Sequence, residues 1–68
     1  MSNYIIIERD PHDDVIKWCL TQYGNGKYSY NLVEGVRWTM YRYTYGAIRL
    51  NFATEEDLTW FKLRWYNG

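Results

Sequence analysis

Two runs of alternating side chains, separated by a short turn, occupy the middle of this chain. Val36 to Thr44 is rich in Trp, Thr and Tyr, which favour extended structure. Ala47 to Phe52 alternates apolar and polar residues, and Tyr45-Gly46 lies between the two runs. Because successive side chains of a strand point to opposite faces, this pattern predicts an antiparallel hairpin with one apolar face.

The segments on either side of the hairpin have the pattern of amphipathic helices. Asp10-Pro11 predicts the start of the first, because Asp is a favoured N-cap and Pro fits the first helical position. Gly24 is its expected C′ residue. Thr54 should cap the second helix, since Thr54 to Asp57 resembles a capping box. The apolar stripes are Val15, Ile16, Cys19 and Tyr23 in the first helix, and Leu58, Phe61 and Trp65 in the second.

A short β-branched run, Tyr4 to Glu8, precedes the first helix and predicts a buried strand. Tyr28 to Val33 could also be extended, and its pattern leaves this open. The predicted order is β-α-β-β-α, a single α+β domain over residues 1–68. The simplest packing is a three-stranded, mainly antiparallel sheet with both helices on one face. This is a ferredoxin-like arrangement that lacks its last strand.

The stability of this short chain must come from the packing of large side chains in its core. In 68 residues there is one cysteine and one histidine, so neither an intrachain disulfide nor a Cys/His zinc cluster can form. Aromatic residues make up 21% of the chain, and each ring can remove about 150–250 Å² from water. A lone thiol suits a reducing cytoplasm. Residues 1–9 hold no apolar stretch long enough for an export signal or membrane span, so we expect neither.

The net charge is zero, with 8 basic and 8 acidic residues, which argues against a generic attraction to nucleic acid or membranes. The distribution is uneven, because residues 17–53 are locally basic. Their basic residues, against the acidic Glu34, are Lys17, Lys27, Arg37, Arg42 and Arg49.

Four groups of residues could suggest an active or metal-binding site, and each has a simpler structural explanation. His12 with Asp10, Asp13 and Asp14 fits a helix start whose dipole favours acids. Cys19 falls on the apolar stripe, far from the histidine.

Gly24 to Lys27 fails the phosphate-loop spacing, because Thr21 and Tyr28 stand where Gly and Ser or Thr are needed. Glu55, Glu56 and Asp57 are consecutive and cannot converge on one atom. We therefore predict no catalytic residue, metal ligand or cofactor.

The face of the hairpin without helices is the candidate site. Ile48, Leu50 and Phe52 should meet the helices, together with Trp38 and Met40 from the partner strand. The side chains left on the helix-free face are Arg37, Tyr41, Tyr43 and Arg49. The alternative assignment makes Tyr41 and Tyr43 the core rings.

Three uses of this face are open. Tyr and Arg are enriched at protein–protein hot spots, and the partner could be another protein or a second copy of this chain. The same residues could stack on the bases of single-stranded nucleic acid, RNA included, and contact its phosphates. Cross-strand aromatic and arginine pairs could also simply stabilise the hairpin. Zero net charge weighs against nucleic acid.

The C-terminal segment from Phe52 to Trp65 has an aromatic residue, a short polar stretch, three acids and then a helix ending in Leu-Arg-Trp. It resembles the end of many small proteins of T4-like tailed bacteriophages, notably those of marine cyanobacteria. The resemblance covers about half of the chain and implies a virus-encoded protein in the host cell cytoplasm. It brings no site residues with it. We therefore expect a non-enzymatic interaction protein that acts on a host or viral protein, with a nucleic-acid-binding module as the alternative.

Overall fold

A computed structural model of the protein describes residues 3–8 and 12–65. Its architecture is α+β, with two helices and a mixed sheet of four strands. In chain order the elements are β1 (Tyr4–Ile7), α1 (His12–Tyr23), β2 (Lys27–Tyr28), β3 (Trp38–Arg42), β4 (Ile48–Phe52) and α2 (Glu55–Trp65). Neither of these helices is both long and apolar enough to cross a bilayer.

The strands lie in the order β1-β4-β3-β2. β4 is antiparallel to both of its neighbours, and the predicted β3–β4 hairpin is confirmed, with Tyr41 opposite Arg49. The Tyr43 N–H donates to the Ala47 carbonyl at 2.9 Å and so closes the turn. Gly46 lies within the turn at φ 99°, where glycine carries no steric cost.

The expected sheet of three strands was one strand short. β2 pairs with β3 in parallel and adds a fourth strand at the edge. Only Lys27 and Tyr28 take part, so most of the segment from Tyr28 to Val33 is not a strand. A pairing of two residues leaves no periodicity in a sequence, which is why the pattern could not reveal it.

Both helices pack on the same face of the sheet. Val15, Cys19 and Tyr23 of α1 share one buried cluster with Phe61 of α2. From the sheet the cluster receives, among others, Trp38, Ile48, Leu50 and Phe52, and Met40 packs against it. Trp18 joins the two helices through an edge-to-face contact with Phe61, at 5.9 Å between ring centroids. The assignment of Trp38 to the core is therefore confirmed, and Tyr41 and Tyr43 fall on the other face.

The described helix ends follow the predicted chemistry. Gly24 has φ 81°, and its N–H donates to the Leu20 carbonyl at 3.1 Å, which ends α1 in a left-handed cap. The Thr54 hydroxyl accepts a hydrogen bond from the Asp57 N–H at 3.1 Å and so caps α2. The predicted cap at Asp10-Pro11 lies outside the described residues.

Candidate functional site

The helix-free face is formed by alternate residues of the three longer strands. Thr39 lies opposite Asn51, and Tyr41 lies opposite Arg49. On the other side of β4, Tyr4 of β1 pairs with Asn51. Of the four residues predicted for this site, the structure therefore brings Tyr41, Arg49 and, just past the end of β3, Tyr43 together.

Five tyrosines form a continuous row on this face, which we call the tyrosine row: Tyr28, Tyr30, Tyr41, Tyr43 and Tyr45. Tyr41 lies at its centre, with ring centroids 5.6 Å from Tyr28, 5.2 Å from Tyr30 and 5.4 Å from Tyr43. Tyr45 stacks on Tyr43 at 5.2 Å, with an interplanar angle of 27°. Offset and edge-to-face pairs of this kind each contribute about 0.5–1.5 kcal/mol beyond their buried area, so the rings hold one another in place.

The outer rings of the row are open to solvent. Tyr28 is 64% exposed, Tyr45 is 66% and Tyr30 is 47%, whereas Tyr41 and Tyr43 are half-buried beneath them. The Arg42 backbone N–H donates to the Tyr28 hydroxyl at 3.2 Å, which anchors one end of the row. Hydrogen bonding to Tyr43 raises the pKa of the Tyr30 phenol, and the two rings meet edge to face at 6.2 Å between their centroids. The row is thus an exposed aromatic surface on a fixed base.

Arg49 lies on the predicted face but is only 9% exposed. Its guanidinium carbon is 3.9 Å from the ring centroid of Tyr4 and 4.5 Å from that of Tyr30, so two aromatic faces enclose the charge. Its Nε donates to the Asn51 side-chain oxygen at 3.0 Å. Arg49 therefore supports the tyrosine row from below. Its predicted place on the helix-free face is confirmed, whereas its predicted contact with a partner stays a prediction.

A polar network attaches the loop after β2 to the sheet. The Asn51 amide donates to the Tyr30 carbonyl at 2.9 Å and to the Thr39 hydroxyl at 3.0 Å. The Thr39 hydroxyl in turn donates to the Asn31 carbonyl at 3.2 Å. These bonds hold the loop against the sheet, so that the ring of Tyr30 lies over the guanidinium of Arg49. The sequence held one signal for this network, since Thr39 and Asn51 are polar residues paired on adjacent strands.

The prediction that Arg37 lies on the helix-free face was wrong. Its guanidinium makes two hydrogen bonds to Asp57 of α2, at 2.8 and 3.0 Å, and lies 5.0 Å from the Tyr23 ring centroid. The bond to the carboxylate raises the pKa of Arg37. Residue 37 precedes the first paired residue of β3, so the alternation of a pleated strand does not fix its direction. The side chain turns to the side of the sheet that carries the helices.

The other candidates lie apart from one another. Burial raises the pKa of the Cys19 thiol to about 12, so a thiolate is strongly disfavoured there. His12 is buried at the start of α1, while Asp13 and Asp14 are exposed. Glu55 and Glu56 are exposed, whereas Asp57 is buried against Arg37. Within residues 3–8 and 12–65, no three or more His, Cys, Asp or Glu side chains are grouped so that they could hold a metal ion.

We compared the chain with protein-family models, with curated proteins and with solved structures, and none of the three comparisons found a match. Function must therefore be argued from the surface that the fold presents. Two observations matter most for that argument: the tyrosine row is exposed and prearranged, and the two arginines predicted beside it are already engaged.

Proposed function

We propose that this chain is a small, non-catalytic interaction module of phage origin, which binds a host or viral protein through the tyrosine row and alters that protein's activity by covering or tethering it. The observation that supports this best is the row itself, in which three exposed rings pack on two half-buried ones. A surface of this kind offers a large contact area with little side-chain freedom to lose.

A protein partner fits the chemistry of the row. Tyrosine is among the residues most enriched at the energetic centres of protein interfaces, because its ring is apolar and its hydroxyl can hydrogen bond. Arg49, enclosed by Tyr4 and Tyr30, keeps Tyr30 in place without presenting an open charge. The centre of the surface is thus aromatic and nearly uncharged, as the buried centre of a protein interface usually is.

Single-stranded nucleic acid is the second candidate, because bases could stack on Tyr28, Tyr30 or Tyr45. Lys27 and Arg42 are exposed near Tyr28 and could reach phosphates. The two arginines that would have strengthened this proposal are engaged, Arg49 beneath the rings and Arg37 with Asp57. Since phosphate contacts supply most non-specific affinity, we rank this candidate below a protein partner.

The proposed phage origin and host-cytoplasm setting rest on the C-terminal segment, which keeps its acidic start and its Leu-Arg-Trp end in α2. The proposed relation to a ferredoxin-like fold without its last strand is supported by the order of the three longer strands. β1, β4 and β3 are neighbours in that order, and the helices lie on one face. The parallel strand β2 departs from that arrangement.

Affinity capture from infected host cells tests the protein-binding proposal. The wild-type chain should retain one host or viral protein at near-stoichiometric yield. The double variant Tyr28→Ala/Tyr45→Ala should lose it, because both rings are exposed and their removal spares the core. Leu20→Ala is the matched control, since Leu20 is an exposed apolar residue on α1 and should leave capture unchanged. Equal capture by the double variant would overturn the proposal.

A fluorescent single-stranded oligonucleotide tests the second candidate. Titration at about 50 mM salt should give no binding if the row is a protein site, because electrostatic affinity is greatest at low salt. Binding that weakens steeply with salt, and that Tyr28→Ala/Tyr45→Ala abolishes, would instead favour the nucleic-acid function.

A further inference from the structure

A polar recess opens next to Tyr30, one of the rings of the tyrosine row. Its volume is about 190 Å³, and its polar lining consists of Asn3, Asn31, Arg49 and Asn51. None of the residues that line it is acidic. At about 30 Å³ for each water, the volume corresponds to about six water molecules, so the recess has room for a small polar group on a short stem.

The charge of Arg49 is balanced only by neutral groups. The rings of Tyr4 and Tyr30 cover its guanidinium, and its Nε donates to the Asn51 side-chain oxygen. In the described part of the chain no carboxylate forms an ion pair with it, in contrast to Arg37. The residue is only 9% exposed, and a buried charge is costly unless an opposite charge lies beside it. Arg49 is therefore a buried cation that no acid of the described residues balances.

The guanidinium of Arg49 keeps hydrogen-bond donors for a further group. Its two terminal nitrogens donate to no other described residue, and neither is sealed from solvent. Because aromatic rings cover the faces of the guanidinium, its edge is the part that can meet the recess, and the edge carries these N–H groups. The side-chain amides of Asn3 and Asn31 line the same recess and can add donors. Two parallel N–H groups of one guanidinium match the two oxygens of a carboxylate.

We propose that this recess, which we call the Arg49 recess, binds one carboxylate, and that an Asp or Glu side chain of the bound protein supplies it. One cation balances one carboxylate, whereas a phosphate group carries a charge of about −1.5 to −2 at pH 7 and the lining contains a single basic residue. Leu32 also lines the recess and is 41% exposed, so it can pack against the carbon stem of the acid. The source of the carboxylate rests on the proposed protein-binding function, but the site itself does not.

Titration with sodium acetate tests the site without any partner. Nitrogen-15 NMR follows the Arg49 Nε–H and the Asn31 side-chain amide, while sodium chloride keeps the ionic strength constant. Both signals should shift and saturate with a dissociation constant in the millimolar range, because acetate has few atoms with which to make contacts. Inorganic phosphate should bind no more tightly than acetate. Shifts that stay linear up to about 100 mM acetate, or tighter binding of phosphate, would overturn the proposal.

Asn31→Asp places a carboxylate within the recess itself, so it should weaken acetate binding about tenfold or more. The Asn31 side chain is exposed and makes no hydrogen bond to another described residue, so the fold should be kept, and the NMR spectrum verifies this. Asn25→Asp is the matched control, because it makes the same chemical change in an exposed turn outside the recess. Equal weakening by the two variants would show a general effect of charge and would overturn the proposal.

Affinity capture from infected cells tests the source of the carboxylate. Asn31→Asp should lose the partner and Asn25→Asp should retain it, and acetate should release the partner from the wild-type chain where chloride at equal ionic strength does not. If Tyr28→Ala/Tyr45→Ala loses the partner but Asn31→Asp keeps it, the protein source is overturned while the proposed function stands. The reverse result would support the Arg49 recess and contradict the tyrosine row. Acetate that binds without releasing the partner, or a wild-type chain that captures nothing, would also overturn the protein source.

Discussion

Arg37 and Asp57 form a two-pronged ion pair that joins the start of β3 to the first turn of α2, with Nε–Oδ2 at 2.8 Å and Nη2–Oδ1 at 3.0 Å. Asp57 also makes two further hydrogen bonds through its backbone. Its N–H donates to the Thr54 cap, and its carbonyl accepts a hydrogen bond from the Tyr23 hydroxyl at 2.9 Å. Asp57 therefore connects α1, α2 and the sheet. Its place in the first turn of α2 explains only part of its role.

Arg37→Ala should destabilise the fold measurably. The Asp57 side chain is only 6% exposed, and without the guanidinium its carboxylate would be left in a poorly solvated position. Urea unfolding should show a lower midpoint for Arg37→Ala than for Arg37→Lys, which keeps a charge near Asp57. Arg42→Ala is the matched control because Arg42 is an exposed arginine of the same sheet. Equal midpoints for Arg37→Ala and Arg42→Ala would show that the pair contributes nothing.

Asn51→Ala should cost about 1–3 kcal/mol of unfolding free energy. The change removes an acceptor from the buried Nε of Arg49 and two donated bonds, to the Tyr30 carbonyl and the Thr39 hydroxyl. Chemical denaturation measures the loss, and Asn25→Ala in the exposed turn should stay within about 0.5 kcal/mol of wild type. If the network holds Tyr30 over Arg49, Asn51→Ala should also weaken partner capture. Full stability of the variant would argue against the network.

Gly26→Ala should destabilise the chain more than Gly35→Ala. A Cβ at Gly26 would lie 2.6 Å from the Trp38 ring and 2.8 Å from the Trp38 carbonyl oxygen, so the turn would have to move away from β3. We expect a loss of about 1–3 kcal/mol from this overpacking. At Gly35 a Cβ meets nothing within 4 Å, and only the positive φ of 88° opposes it. The reverse order in thermal unfolding would contradict the close approach of Gly26 to Trp38.

Stability should fall as the pH rises above 9, and Cys19 should contribute to that fall. Burial raises the pKa of its thiol from 9.0 to about 12 in the folded chain. Between these values the unfolded chain loses the proton while the folded chain keeps it, so the stabilising contribution is complete below pH 9 and declines towards pH 12. The slope for one group is about 1.4 kcal/mol per pH unit at most.

Cys19→Ala separates this contribution from that of Tyr23, whose pKa burial also raises to about 12. The free energy of unfolding should decline less steeply between pH 9 and 11 in the variant than in the wild type. Parallel pH profiles would mean that the thiol is more accessible than its position in the core indicates.

The hairpin, both helices and the apolar face of the sheet were predictable. Side chains alternate along the strands, and the helices combine an apolar stripe with capping residues, so the local signals agree with the fold. Trp38, Leu50 and Phe61 are core residues for that reason. The position of Tyr30 was not predictable, since it depends on a hydrogen bond from Asn51, which is 21 residues away in the chain. Arg37 was misplaced because strand alternation was extended one residue beyond the strand. Arg49 was placed on the right face, but its enclosure by Tyr4 and Tyr30 depends on two segments far from it in sequence.

Footprinting of tyrosines tests the central claim, which is that the tyrosine row is the surface that binds the partner. N-acetylimidazole acetylates exposed phenols, and mass spectrometry identifies each modified residue. In the free chain we expect modification of Tyr28 and Tyr45, with Tyr23 protected by the core. In the complex captured from infected cells, Tyr28 and Tyr45 should become protected together. Continued modification of both in a stoichiometric complex would show that the partner binds elsewhere and would contradict the account.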